Sequence, residues 1–365
     1  MNLRQLKQRF VLHLDPLLLS GLGALLLVSL LILYSASDGN GMRVLAQLGN
    51  IAAGFVALCI IANMPLHWLM RLAVPTYVLG MVLLIGVALF GEISHGARRW
   101  LNLGVANIQP SELMKIAVPL MMAWYFEKHE ATLTWRNHLI ATLLLVMPVA
   151  LIVRQPDLGT SILIAASGFF VLFLAGLSWR VIIGLLVTAA ASAPFLWHAL
   201  HDYQRQRILM LFDPSQDALG KGYHTIQGMI AVGSGGVLGK GYLEGTQTHL
   251  DFLPERTTDF IFAVWSEEFG FLGNLLLLGL YVFVIGRGFV ITANASTYFT
   301  RLMAGSITLT FFIYTFVNIG MVTGILPVVG VPLPLVSYGG TSLLTLMLGF
   351  GVLMSIHTHQ RLVKT

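Results

Sequence analysis

The sequence predicts an all-α membrane protein of about ten spanning helices, and three observations predict it. Of 365 residues, 56% are hydrophobic and only 10% are charged, where a soluble domain carries about 25% charged residues. Apolar runs of about 20 residues, the length a spanning helix needs, recur along the whole chain. Lipid offers no partner to backbone N–H and C=O groups, so helices are expected, and the alternating pattern of a barrel is absent from the sequence. One bundle accounts for residues 1–365 as a single domain.

The runs lie near 17–36, 45–64, 70–90, 112–127, 137–153, 158–177, 180–199, 260–284, 300–321 and 340–357. An even number places both termini on one side. Inner segments would carry Arg4, Lys7, Arg9, Arg71, Lys128, Arg136, Arg180, Arg287, Arg301, Arg361 and Lys364. The short outer loops would carry only Arg43, Arg98, Arg99 and Arg154. Positive charge favours the cytoplasmic side, so both termini are expected inside. The basic N-terminal stretch leads to the run from Leu17 without a small-residue cleavage site, so no cleavable signal peptide is expected. Cys59 is the single cysteine, which excludes an intrachain disulfide. The net charge of +5 suits anionic headgroups, and no basic, aromatic-interleaved patch points to nucleic acid.

Three outer segments are unusual. Residues 91–111 mix charge with Trp100 and end in Gln109, Pro110 and Ser111. Residues 200–259 form a long loop between helices 7 and 8, rich in glycine from 233 to 245. Residues 322–339 are apolar and proline-rich, too apolar for a free loop and too rich in proline for a simple helix. Such a segment is expected to re-enter the bundle or line a groove.

Acids open three outward helices: Glu112, Asp157 and Asp259. Such residues cap helix N-termini and suit the positive end of the dipole, which is a sufficient reason for them. Asp259 differs, because Glu255 and Arg256 stand beside it at a membrane surface. There it is a candidate general base. Lys115 follows Glu112 by three residues, so it is either a paired, snorkelling lysine or a cation for a phosphate headgroup. Glu267 and Glu268 fall about 12 Å along the helix from Asp259, at about 1.5 Å per residue. A buried polar contact near Gly270 explains them better than proton coupling. Arg99 and Trp100 could hold a phosphate and stack on a sugar, or simply anchor the interface. Arg207 and Lys240 in the long loop are further candidates for anionic groups, or a solvated face. The run from Gly233 to Lys240 lacks the spacing of a nucleotide phosphate loop. A transfer reaction on the outer face would therefore need a substrate activated in advance, such as a sugar on a lipid pyrophosphate.

The segments His13–Pro16, Gly96–Leu101, Gln109–Lys115, Gln155–Ser161, Asp202–Arg207, Gly222–Gln227, Phe252–Phe262 and Asn318–Gly340 resemble those of the SEDS family (shape, elongation, division and sporulation). The run from Gly330 to Gly340 is similar to the elongation branch rather than the division branch, and Thr257 stands where the family often has His. The resemblance implies ten spans with an outward catalytic face in the bacterial cytoplasmic membrane. It implies a peptidoglycan glycosyltransferase that polymerises lipid II into a growing glycan strand and releases undecaprenyl pyrophosphate. It also implies an essential acid at Asp259, an important tryptophan at Trp100, and an ion pair of Glu112 with Lys115 in a central cavity. The implied partners are a class B penicillin-binding protein, which supplies transpeptidation, and the elongation machinery.

Asp259 is thus expected to act as base on the acceptor hydroxyl. Glu255, Asp157, Glu112 and Trp100 would line the substrate site, and Arg99, Lys115, Arg207 or Lys240 would stabilise the departing pyrophosphate. A divalent cation, Mg or Mn, could share that work. The rival readings are a lipid-linked precursor flippase and a non-catalytic scaffold for a cell-wall transpeptidase.

Overall fold

The computed structural model describes residues 14–94, 97–102, 107–132, 134–155, 157–199, 205, 209, 221–249, 253 and 255–363. The helices are α1 (Pro16–Ala36), α2 (Gly41–Ala62), α3 (Leu66–Phe90), α4 (Pro110–Lys128), α5 (Trp135–Val153), α6 (Leu158–Leu174) and α7 (Trp179–Ala199). They continue as α8 (Lys221–Ser234), α9 (Thr246–His249), α10 (Ile261–Ala293), α11 (Tyr298–Val322) and α12 (Gly340–Val363). Among the described residues, seven helices are long and apolar enough to cross a membrane. The apolar helices α6 and α7 add two shorter candidates. Helix α4 has the length of a span but carries Glu112 and Lys115 near its start. Together these match the expected number of about ten. A small antiparallel sheet, β1 (Glu92–Ser94), β2 (Ala97–Asn102) and β3 (Asn107–Ile108), interrupts the all-helical pattern between α3 and α4.

Local chemistry sets the helix starts. Asp15 caps α1, its carboxylate accepting from the Leu17 and Leu18 amides at 3.0 Å, with Pro16 behind it. Asn40 caps α2 and Asp157 caps α6 in the same way. Thr297 and Thr300 form a reciprocal cap on α11. Helix α2 lies along α12, α3 along α4, and α10 between α1 and α11. One continuous apolar core runs through these contacts. At one end of the bundle Arg287 of α10 donates to Asp15 at 2.9 and 2.6 Å. At the other end Arg256 donates to Asp38, just beyond α1.

Helix α10 breaks at Gly270, whose φ of 63° and ψ of −158° are open to glycine alone. Residues 271–293 still extend roughly 35 Å at about 1.5 Å per residue, enough to span. Residues 261–269 form a separate half-helix. The distance from Asp259 to Glu267 therefore runs along this half-helix, and it is not a depth measured down one straight span. The break frees backbone groups, and the glycine-rich loop before α9 takes them up. The Lys240 and Gly241 amides donate to the Glu267 and Glu268 carbonyls at 3.0 and 3.1 Å. The Phe271 and Leu272 amides donate to the Gly236 and Val237 carbonyls at 2.9 and 3.1 Å. Contact is backbone to backbone: a Cβ on Gly239 would lie 2.0 Å from the Glu268 carbonyl oxygen.

The proline-rich segment 322–339 does re-enter the bundle. Val331, Leu333, Leu335 and Val336 are buried. An irregular backbone inside a bundle needs partners for its carbonyls. Ser29 of α1 donates to Val336 O at 2.7 Å, Gln47 of α2 to Ser337 O at 3.3 Å, and Tyr281 of α10 to Pro334 O at 2.8 Å.

Candidate active site

The turn 255–260 leads into the half-helix and carries the candidate base. Glu255 holds a left-handed conformation, φ 55°, which is uncommon for a residue with a Cβ. Its carbonyl accepts from the Thr258 and Phe260 amides at 3.1 and 3.2 Å, which closes the turn. The Thr258 hydroxyl donates to the Glu255 carboxylate at 2.8 Å. Asp259 is half-buried. Burial, and next the charge of Glu255, push its carboxyl up to about 6 from 3.8. Gly330 of the re-entrant segment lies against it, with a would-be Cβ 3.5 Å from Asp259 Oδ2. Arg256 gives its guanidinium to Asp38 and the Thr248 carbonyl, so the adjacent cation points away.

A line of polar groups continues into the bundle. Gly330 is backed by the start of α6, where a Cβ on Gly159 would lie 2.7 Å from Val329 O. Asp157 caps that helix, accepts from the Thr160 amide at 3.2 Å, and accepts from Gln109 Nε2 at 3.1 Å. Glu112 and Lys115 form a buried pair at 2.5 Å, with Lys115 Nζ 5.2 Å from the centre of the Tyr314 ring. Tyr314 and Asn318 stand one turn apart on α11, and Asn318 reaches the Asp259 carbonyl at 2.8 Å. The structure thus connects Asp259, Glu255, Asp157, Glu112 and Lys115 through α6, α11 and the re-entrant segment.

Other candidates fall elsewhere. Trp100 lies on β2, opposite Glu92, and is partly exposed. The side chain of Arg99 and the whole of Arg207 lie outside the described residues. Lys240 is not free for a phosphate. Its ammonium donates to the fully buried Glu267 at 2.7 Å and to the Thr246 hydroxyl at 2.8 Å. Glu267 also accepts from the Gln247 amide at 3.0 Å and the Thr246 hydroxyl at 3.1 Å, so this pair fixes the loop to the half-helix. Glu268 accepts from the Ser35 hydroxyl. Sequence reasoning passed over Asn318 and Ser337. The visible signal was an amide within an apolar helix and a hydroxyl within an apolar, proline-rich segment. Among the described residues, no three His, Cys, Asp or Glu side chains converge as metal ligands.

A bundle of membrane-length helices with a half-buried carboxylate on a fixed turn at one rim defines a polytopic membrane protein with Asp259 as its candidate acid. The chain belongs to the SEDS family: the family model FtsW/RodA/SpoVE, described as cell cycle protein, matches residues 10–362. It is 54% identical to peptidoglycan glycosyltransferase MrdB of Escherichia coli K12, over 96% of this chain and 95% of that one. It is 37% identical to the Helicobacter pylori protein of the same name, over 96% and 92%. Among solved structures it is similar to a chain from one described as the structural coordination of polymerization and crosslinking by a peptidoglycan synthase complex. That match has a TM-score of 0.83 and 30% identity, over 95% of this chain and 98% of that one. An aspartate-to-alanine variant of the rod shape determining protein RodA of Thermus thermophilus gives a TM-score of 0.72 and 28% identity, over 94% and 97%.

Proposed function

We propose that this chain is a peptidoglycan glycosyltransferase that polymerises lipid II and releases undecaprenyl pyrophosphate during cell elongation. The observation that carries the mechanism is the state of Asp259. Its carboxyl is desolvated, its pKa stands near 6, and its turn is held from several sides. A general base works best when its pKa lies close to the operating pH. Asp259 takes the proton of the acceptor sugar hydroxyl as that oxygen attacks the anomeric carbon of the donor. The donor's bond to pyrophosphate breaks, and direct displacement inverts the anomeric centre. Charge grows on the departing pyrophosphate. Lys240 pairs with Glu267 and Lys115 with Glu112, which leaves Arg99 and Arg207 of the four candidate cations.

The site faces outside, and both termini are cytoplasmic, in keeping with the distribution of Lys and Arg. The partner is a class B penicillin-binding protein, in line with the synthase complex that the solved relative belongs to. The flippase reading would need essential ionisable groups near the midplane. Glu267 and Glu268 were the candidates, and they bond to the loop and to α1 instead. The test is polymerisation of purified lipid II by the reconstituted protein with a transpeptidase-inactive partner. Long glycan is expected. Transbilayer movement of lipid II without polymer would support the flippase, and neither activity would support the scaffold.

A further inference from the structure

Three successive carbonyls of the turn bearing Asp259 are each held by a donor from α11 or from the re-entrant segment. Thr257 O accepts from the Tyr338 amide at 2.9 Å. Thr258 O accepts from the Ser337 hydroxyl at 2.5 Å. Asp259 O accepts from Asn318 Nδ2 at 2.8 Å. Asn318 is fully buried. Its amide nitrogen also donates to Val331 O at 2.7 Å. Rotating the amide would set its oxygen against two carbonyl oxygens, so the donor assignment is fixed by its surroundings. The Ser337 oxygen in turn accepts from the Leu333 amide at 2.8 Å. The segment is itself tied to α1, α2 and α10 through Ser29, Gln47 and Tyr281. Leu335, with φ 65°, and Glu255, with φ 55°, hold uncommon conformations on either side of this junction. Such conformations persist where their surroundings over-determine them.

We infer that Asn318 and Ser337 are positioning residues for Asp259, and that segment 322–339 is a clamp that grips the catalytic turn by its main chain. The chemistry favours this arrangement. A donor placed on the carboxylate would stabilise its charged form and weaken it as a base. Donors placed on the three carbonyls fix the turn and leave the carboxylate oxygens to the acceptor hydroxyl. Asn318 and Ser337 meet no reacting atom. They act by holding the base within reach, and a displacement of about 1 Å is enough to cost on the order of 100-fold in rate.

The inference rests on the glycosyltransferase reading, so the experiment has two arms. Lipid II polymerisation kinetics are measured on the full-length reconstituted protein with its transpeptidase-inactive partner. Hydrogen exchange of the Thr258 and Phe260 amides is followed on the same preparations. Ser337→Ala and Asn318→Ala should lower kcat roughly 10- to 100-fold, leave KM for lipid II and the acid limb of the pH profile in place, and speed exchange in the turn. Ser337→Thr, which restores a hydroxyl, should recover both readouts. If Asn318→Ala does not fold, the Ser337 pair carries the test. Unchanged kcat despite faster exchange would overturn the positioning role. Unchanged exchange, or Ser337→Thr as impaired as Ser337→Ala, would overturn the clamp. Equal polymerisation by wild type and Asp259→Asn would overturn the underlying reading, which the exchange arm does not depend on.

Discussion

Lowering the pH should remove the base before it unfolds the protein. Burial, and then the Glu255 charge, bring Asp259 from 3.8 to about 6. At that value about nine-tenths of the carboxyl is ionised at pH 7, about half at pH 6 and about one-tenth at pH 5. kcat/KM should therefore be nearly level above about pH 7 and fall towards tenfold per unit below about pH 6. Glu255→Gln removes the second cause and keeps the first, so the limb should move to lower pH without reaching the ordinary carboxylate range. The same shift has a consequence for stability. The folded pKa lies above the unfolded one, so the folded state is favoured most below about 4 and loses that advantage as pH rises through about 6. At about 1.4 kcal/mol per unit the loss is at most about 3 kcal/mol, less the screening by water that reaches a half-buried group. Asp259→Asn should accordingly raise the thermal midpoint at pH 7 while abolishing activity. The assays are initial rates at low lipid II from pH 5 to 8 and thermal unfolding of the same proteins. A rate that stays level down to pH 5, or a limb that moves up in Glu255→Gln, would refute the reasoning.

Three further outcomes are expected. Lys240→Met leaves the buried Glu267 without its cation and should lower stability by up to about 3 kcal/mol. Its KM for lipid II should not change, and a raised KM at unchanged stability would return Lys240 to the substrate site. Gly239→Ala puts a Cβ 2.0 Å from Glu268 O at φ 81°, so folded protein should be largely lost. Gly236→Ala, at φ 55° with open space around it, should bear only a strain of about 1 kcal/mol; size-exclusion yield separates the two. Lys115→Met strands the buried Glu112 and should destabilise by about 3–5 kcal/mol. Near-wild-type stability with weakened lipid II binding would instead favour a phosphate contact for Lys115.

The spans were legible because a hydrocarbon slab imposes one length and one backbone solution on every segment that crosses it. The cap at Asp157 was legible for a similar reason, since a helix start must satisfy its own amides. The Glu112–Lys115 pair could be read from its spacing of three. The environment of Glu267 could not be, because it depends on a loop 20 to 30 residues earlier that folds back into the break at Gly270. For the same reason Lys240 looked like a free cation in sequence and is a buried carboxylate's partner in space. Asn318 and Ser337 contact the turn across 59 and 79 residues, distances at which local pattern carries no signal. What the sequence did offer was their polarity in apolar surroundings, which marks a residue held there by a partner or a function.

The central claim is that Asp259 performs the chemistry of glycan synthesis. The most direct test compares wild type with Asp259→Asn in polymerising purified lipid II, each reconstituted with a transpeptidase-inactive partner and each shown to be folded. Long glycan from wild type and none from a mutant of equal or higher thermal midpoint is the predicted result. Equal product from the two would contradict the account and remove Asp259 from the mechanism.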